Sequence, residues 1–171
     1  LQILETPKGK RLGLRRAAAG AKATQVVNEI IREAIQGLPI PKRMRWGAGR
    51  EDFVRPVHWI VAMLGLDADH GKIFDLPTSN ITYGHRVHSA GPITLSCPEN
   101  YEAALLEARV VACFEQRREL IRKQAHAQAQ GLEANVIIDS DLLDEVTGLV
   151  EWPVALTGTF DDRFLAVPSE A

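Results

Sequence analysis

No stretch of this sequence keeps one hydrophobic period for long, and that irregularity limits the architectures open to it more than any other feature. Strand-type runs give way to helical periodicities and back, broken by Pro and Gly, with no repeat of fixed length. A repeat solenoid is excluded, and the reading is α+β: a mixed, mostly antiparallel sheet with helices packed on it.

Leu1–Glu5 and Arg11–Leu14 alternate around Thr6-Pro7-Lys8-Gly9-Lys10 and read as a hairpin. Val26, Val27, Ile30, Ile31, Ala34 and Ile35 recur at helical spacing, and Gly37, Pro39 and Pro41 end that helix. The β-branched and aromatic residues within Phe53–Leu64 favour a central strand. Ile81–Val87 and Ile93–Leu95 read as further strands joined by a Ser-Ala-Gly-Pro turn, and Pro98 suits the opening of a helix over 99–108. A further helix is expected over 115–130, where Glu119 meets Arg122 and Lys123 and Gly131 ends it. After a strand at Asn135–Ile138, Asp139-Ser140-Asp141 caps a helix carrying Leu142, Leu143, Val146, Leu149 and Val150, which Pro153 stops. Val154–Phe160 and Phe164–Val167 complete the reading as a hairpin across 161–163.

At 171 residues, 46% hydrophobic and 25% charged, the chain is large enough to bury a core. The expected division is a hairpin and helix over residues 1–40, belonging to a flanking region, and an α+β domain over 41–171. The longest apolar run, Val57–Leu66, contains His58 and falls short of the roughly 20 residues a membrane helix needs. The opening Leu1-Gln2-Ile3-Leu4 has no initiator Met and no secretory signal, so the chain is expected to be a piece of a longer one. Two cysteines, Cys97 and Cys113, fit a reducing, cytoplasmic setting.

The formal charge of −2 conceals a polarity: residues 1–72 hold 13 Lys or Arg against 7 acidic residues, and 73–171 hold 7 against 15. A basic N-terminal part suits a phosphate-binding surface, and charge solvated around a fold accounts for it equally well.

Catalytic signatures are missing. There is no Gly-rich phosphate loop, no Gly-x-Ser-x-Gly elbow, no paired Cys-x-x-Cys set and no recognisable aminoacylation motif, so no catalytic residue is assigned. The best metal arrangement, His85-x-x-His88 with distant Cys97 and Cys113, matches known zinc spacings loosely, and no metal ligand is assigned. Local hydrogen bonding for His85 and core packing for both cysteines and His58 are the favoured readings. Asp141, Asp144 and Glu145 are explained by a helix N-terminus, whereas Glu151 at a helix end calls for an Arg partner. The strongest constellation is Lys42, Arg43, Arg45, Arg50 and Arg55, which fall within 14 positions and interleave with Trp46 and Phe53. Such a loop can offer guanidinium forks to phosphates and an aromatic face to an unstacked base. The alternative is that Trp46 anchors the loop while the cations meet carboxylates.

The segments Leu38-Pro-Ile-Pro-Lys-Arg-Met-Arg-Trp-Gly47, Phe53-Val-Arg-Pro-Val-His58, Gly84-His85-Arg86, Leu142-Leu-Asp-Glu-Val-Thr147, Leu149-Val-Glu-Trp-Pro-Val154 and Phe164-Leu-Ala-Val-Pro-Ser-Glu170 resemble, in order and spacing, the glycyl-tRNA synthetase beta subunit family. Val87 departs from the Phe that the family more often carries there. The resemblance implies an internal piece of that subunit, working with an alpha subunit that activates glycine with ATP and Mg2+, with tRNA(Gly), and with the remaining beta-subunit domains. No cofactor is expected in this piece itself.

It also implies a fold like the editing-type domain of the phenylalanyl-tRNA synthetase beta subunit. Lys42, Arg43, Arg45, Arg50, Arg55 and Arg86 are then candidate tRNA phosphate contacts, with Trp46 as a stacking residue. A purely structural inter-domain scaffold is one rival. The other is an editing-like hydrolase pocket around His58, His85 and Arg86, which is the weaker expectation because larger competitors of glycine are excluded sterically where it is activated.

Overall fold

The computed structural model describes residues 2–14 and 19–167. In chain order the strands are β1 (Gln2–Thr6), β2 (Gly9–Gly13), β3 (Met44–Arg45), β4 (Asp52–Phe53), β5 (Ile60–Val61), β6 (Met63–Leu64), β7 (Asp67–Ala68), β8 (Lys72–Ile73), β9 (Leu76–Ser79), β10 (Ile81–Tyr83) and β11 (Pro92–Thr94). The helices are α1 (Ala23–Gln36), α2 (Tyr101–Glu107), α3 (Phe114–Gly131) and α4 (Ser140–Leu149), with short 3-10 turns at Pro98–Asn100 and Asp162–Ala166. The α+β class is therefore met, but the expected sheet is broken into small ones. Strands of two to five residues, punctuated by Pro56, Gly65, Gly71 and Gly91, are too short to build a continuous sheet.

Two compact units divide the chain: Leu1–Pro56 with Gly71–Asp75, and Val57–His70 with Leu76–Ala171. In the first, β1 and β2 pair antiparallel from Gln2↔Gly13 to Thr6↔Gly9. The turn needs Gly9, whose φ of 100° lies in the left-handed region. Helix α1 half-buries Val26, Val27, Ile31 and Ile35 at helical spacing, and Gly37 caps it by donating to the Glu33 carbonyl at 2.9 Å. Ile30 and Ala34 of the expected face stay exposed. The β3–β4 pair, registered Met44↔Phe53, carries the basic loop, and Ile73 is buried.

The second unit buries Ala62, Leu95, Leu105, Ala108, Val111 and Leu143 together with Thr78, Thr82 and Thr147. Its strand pairs are parallel β5–β9, antiparallel β6–β7 and antiparallel β10–β11. Helix α3 packs on α4, and Arg118 of α3 pairs with Asp144 and bonds the Ser140 hydroxyl at 3.1 Å. Along α3, hydrogen bonds from Arg122 at 2.6 and 3.0 Å hold the exposed Glu119 carboxyl below its ordinary pKa, as the sequence spacing suggests. The Asp139 carboxylate accepts from the Leu142 amide at 2.9 Å and caps α4. Asp139→Ala is expected to cost about 1 kcal/mol, read as a shift in urea midpoint without a change in m.

Four expected strands do not form as read. Within Phe53–Leu64, Pro56 and the bends around it separate β4 from β5 and leave two-residue strands. Residues 134–139 are irregular, and Ile137 is 96% exposed, so this β-branched run finds no sheet edge. The expected closing hairpin is instead an irregular strap ending in a 3-10 turn. Gln124 of α3 supplies what a partner strand would: its amide donates to the Pro153 carbonyl at 3.1 Å and accepts from the Ala155 amide at 2.7 Å. Thr157 adds a bond to Gln128 at 3.0 Å. Helix α3 ends at Gly131 as the sequence suggests, and Glu133 just beyond it takes the left-handed conformation with φ 51°.

Candidate nucleic-acid interface

In the first unit most of the sequence candidates fall on the β3–β4 hairpin and its flanks: Lys42 and Arg43 precede β3, Arg45 ends it, Trp46 and Arg50 lie in the connecting loop, and Arg55 follows β4. Lys42, Arg45, Arg50 and Arg55 are exposed, and among the described residues none of them forms an ion pair. Arg55 donates to the neighbouring Val54 carbonyl at 3.2 Å. Arg43 differs in kind. Its guanidinium pairs with Asp52 at 3.4 Å and donates to the carbonyls of Ile35, Gln36 and Leu38 at 3.5, 3.3 and 3.5 Å. The last carbonyls of a helix lack intrahelical donors and carry its negative end, so a cation there both bonds and complements them. Arg43 thus fastens the loop to α1.

Trp46 is half-buried and meets Phe74 edge-on at 5.9 Å, while Phe53 lies 5.2 Å from the same ring. Phe74 is held in the left-handed conformation, φ 53°, an uncommon state for an aromatic residue. These contacts stiffen the loop base and leave its cations in water.

Two further cations escaped the sequence reading. Arg32 of α1 donates to the Lys72 carbonyl at 2.8 Å, and both line a cavity of about 520 Å³ with Arg43, Arg50, Glu51, Asp52 and Asp75. Forty residues separate Arg32 from Lys72, and no local pattern joins them. The carboxylates in that cavity offset much of its positive charge.

Charge follows the structural division closely. The first unit holds 13 Lys or Arg and 6 Asp or Glu, a net +7, and the second holds 7 and 16, a net −9.

The second unit holds the remaining candidates. His58 is exposed rather than packed in the core, because β5 begins only at Ile60 and the chain before it lies at the surface. His58 and Arg86 line one cleft of about 690 Å³ with Trp59, Tyr83, Ser89 and Glu151. His85 is not among its lining residues: its Nδ1 accepts from the amides of Val87 and His88 at 3.1 and 3.2 Å, and its ring stacks on His88 at 4.5 Å. Among the described residues no three His, Cys, Asp or Glu side chains gather as metal ligands. Cys97 and Cys113 are free thiols, half-buried at helix starts rather than deep in the core. Glu151 lacks the expected Arg: Arg109 lies over the neighbouring Trp152 ring instead, 5.0 Å from its centroid, and no ion pair to Glu151 forms among the described residues.

The fold is that of a mixed α+β chain with a braced cationic hairpin in its first unit. The family model described as glycyl-tRNA synthetase beta subunit matches residues 1–171, and the chain belongs to that family. It is 50% identical over 167 residues to the glycine–tRNA ligase beta subunit of Chromohalobacter salexigens, covering 98% of this chain and 24% of that protein. With the corresponding subunit of Hahella chejuensis it shares 48% identity over 172 aligned positions, covering 100% of this chain and 25% of the relative. That of Pseudoalteromonas translucida is 44% identical over 170 residues, covering 99% and 25%. The chain therefore spans about a quarter of the length of these relatives. Among the described residues no helix is long and apolar enough to cross a membrane.

Proposed function

We propose that this chain is the tRNA-handling and scaffolding part of the beta subunit of a two-subunit glycine–tRNA ligase. Lys42, Arg45, Arg50 and Arg55 meet tRNA(Gly) phosphates, and Arg43 and Trp46 hold the loop in place for them. The supporting observation is the coincidence of charge with structure: a unit of net +7 presents four exposed cations on and beside one braced hairpin, β3–β4. Each phosphate neutralised there releases counterions, which favours binding without base specificity. Glycine activation with ATP and Mg2+ belongs to the alpha subunit, and the assembly with the remaining beta-subunit domains works in the cytoplasm. We also propose, at the level of fold alone, that residues 41–171 correspond to the editing-type domain of the phenylalanyl-tRNA synthetase beta subunit; superposing the two backbones tests this.

The functional test uses the intact two-subunit enzyme carrying Lys42→Glu, Arg45→Glu and Arg50→Glu. Arg43 is left alone because its reversal would unfasten α1. Glycylation, as kcat/KM for tRNA, is expected to fall at least about tenfold while glycine-dependent ATP–pyrophosphate exchange stays unchanged. Unchanged glycylation would remove the loop from tRNA, and parallel loss of both activities would place it in subunit assembly.

A further inference from the structure

The cleft of the second unit has a construction that the basic loop does not account for. Between β10 and β11, residues 84–91 form a loop braced from inside. The His85 amide donates to the Ala108 carbonyl at 2.8 Å, the Ser89 amide to the His85 carbonyl at 2.9 Å, and the His85 ring collects two more amides. Arg86 and Val87 at the tip stay exposed, Val87 at 78%. Trp59 and Tyr83 line the same cleft with their rings tilted at 56°, centroids 4.8 Å apart. The Trp59 indole N–H is fixed on the buried Thr82 hydroxyl at 3.3 Å, yet the two rings remain 42% and 41% exposed. Large rings held rigidly at a surface form a ready stacking platform, since little side-chain freedom is lost when a partner arrives.

His58, Arg86 and Glu151 complete the lining, and among the described residues none of these side chains makes a hydrogen bond or ion pair. The geometry points to a binding site for one unstacked nucleotide of an RNA, with its base against Trp59 and Tyr83, its phosphate on Arg86, and a base amino group donating to Glu151. A cleft of about 690 Å³ suits a single nucleotide in size. Bases stack on aromatic rings with little regard to sequence, and Arg binds phosphate through a guanidinium fork. The Glu151 carboxylate adds selection, because it accepts from an exocyclic amine, as on cytosine, and uracil has none. A unit of net −9 opposes a long phosphate track, so this contact is confined to one nucleotide and depends weakly on salt. The inference rests on the reading of this chain as part of a tRNA-binding subunit.

The test measures tRNA(Gly) affinity of the intact two-subunit enzyme at several salt concentrations for Tyr83→Ala, Arg86→Ala and Trp59→Phe, with ultraviolet crosslinking to map the contact. Arg86 is exposed and Trp59→Phe keeps a ring, so these variants report on the cleft even where Tyr83→Ala perturbs folding. Tyr83→Ala and Arg86→Ala are expected to weaken binding about tenfold each, Trp59→Phe less, with a salt slope altered by no more than about one and crosslinks in the Trp59 or Tyr83 peptides. Unchanged affinity and no crosslink in those peptides, alongside weakened binding by the Lys42, Arg45 and Arg50 charge reversal, would overturn the cleft proposal and leave the basic loop standing. If that charge reversal also changes nothing, the tRNA reading itself fails.

Discussion

Replacing Arg117 with Met is expected to destabilise the chain by about 3 kcal/mol, seen as a lower urea midpoint with an unchanged m value. Arg117 lies in the first turns of α3, half-buried, and its guanidinium donates in two directions. Its Nε bonds the Thr147 carbonyl at 2.9 Å, and its Nη1 bonds the carbonyls of Val111 and Ala112 at 2.5 and 3.5 Å. Thr147 is wholly buried in the last turn of α4, where carbonyls have no intrahelical donor. Removing the cation strands its two nearest acceptors, the Thr147 and Val111 carbonyls, where water enters poorly, each worth roughly 1–3 kcal/mol. Lys is expected to recover only part of the loss, since one ammonium cannot reproduce the two-sided fork. A loss below about 0.5 kcal/mol for Met would mean that both carbonyls are rehydrated and that Arg117 is not a clamp.

Gly84→Ala should cost about 2–3 kcal/mol for a different reason. A Cβ built there would lie 2.4 Å from the Ala108 Cβ and 2.7 Å from both the Ala108 carbonyl oxygen and the Ser89 hydroxyl. The carbonyl belongs to the backbone and already accepts from the His85 amide, so relief requires moving the loop away from the end of α2. Ala108→Gly removes only one of the three clashes and is expected to rescue partially. Denaturation of the single and double variants measures this directly; full rescue would show that side-chain crowding alone mattered. The Gly84-His85-Arg86 triplet thereby acquires a physical reading: the glycine permits close approach, the histidine braces the loop, and the arginine faces the cleft.

What was legible in the sequence followed local rules. The half-buried face of α1, the Asp139 cap of α4, the Glu119 pairing and the first hairpin each depend on residues a few positions apart, and each appears. The failures were non-local. Residues 154–160 have strand-like composition, but Gln124 and Gln128 of α3 meet their strap with side chains, and nothing local announces that. The basic loop was visible as a cluster of cations, whereas the role of Arg43 depends on where α1 ends. The Trp59–Tyr83 platform depends on β5 and β10 lying side by side, and Arg32 meets Lys72 only in the folded unit.

The central claim is that the exposed cations on and beside the β3–β4 hairpin neutralise tRNA phosphates. The most direct measurement is tRNA(Gly) affinity of the intact two-subunit enzyme against salt, for the unaltered protein and the Lys42→Glu, Arg45→Glu, Arg50→Glu variant. Neutralising a phosphate contributes about 0.7–0.9 to the slope of log affinity on log salt, so loss of three contacts flattens it by about two to three. A flattened slope with at least about tenfold weaker binding at low salt is the predicted result. An unchanged slope with unchanged affinity would contradict the account and make the loop part of the scaffold.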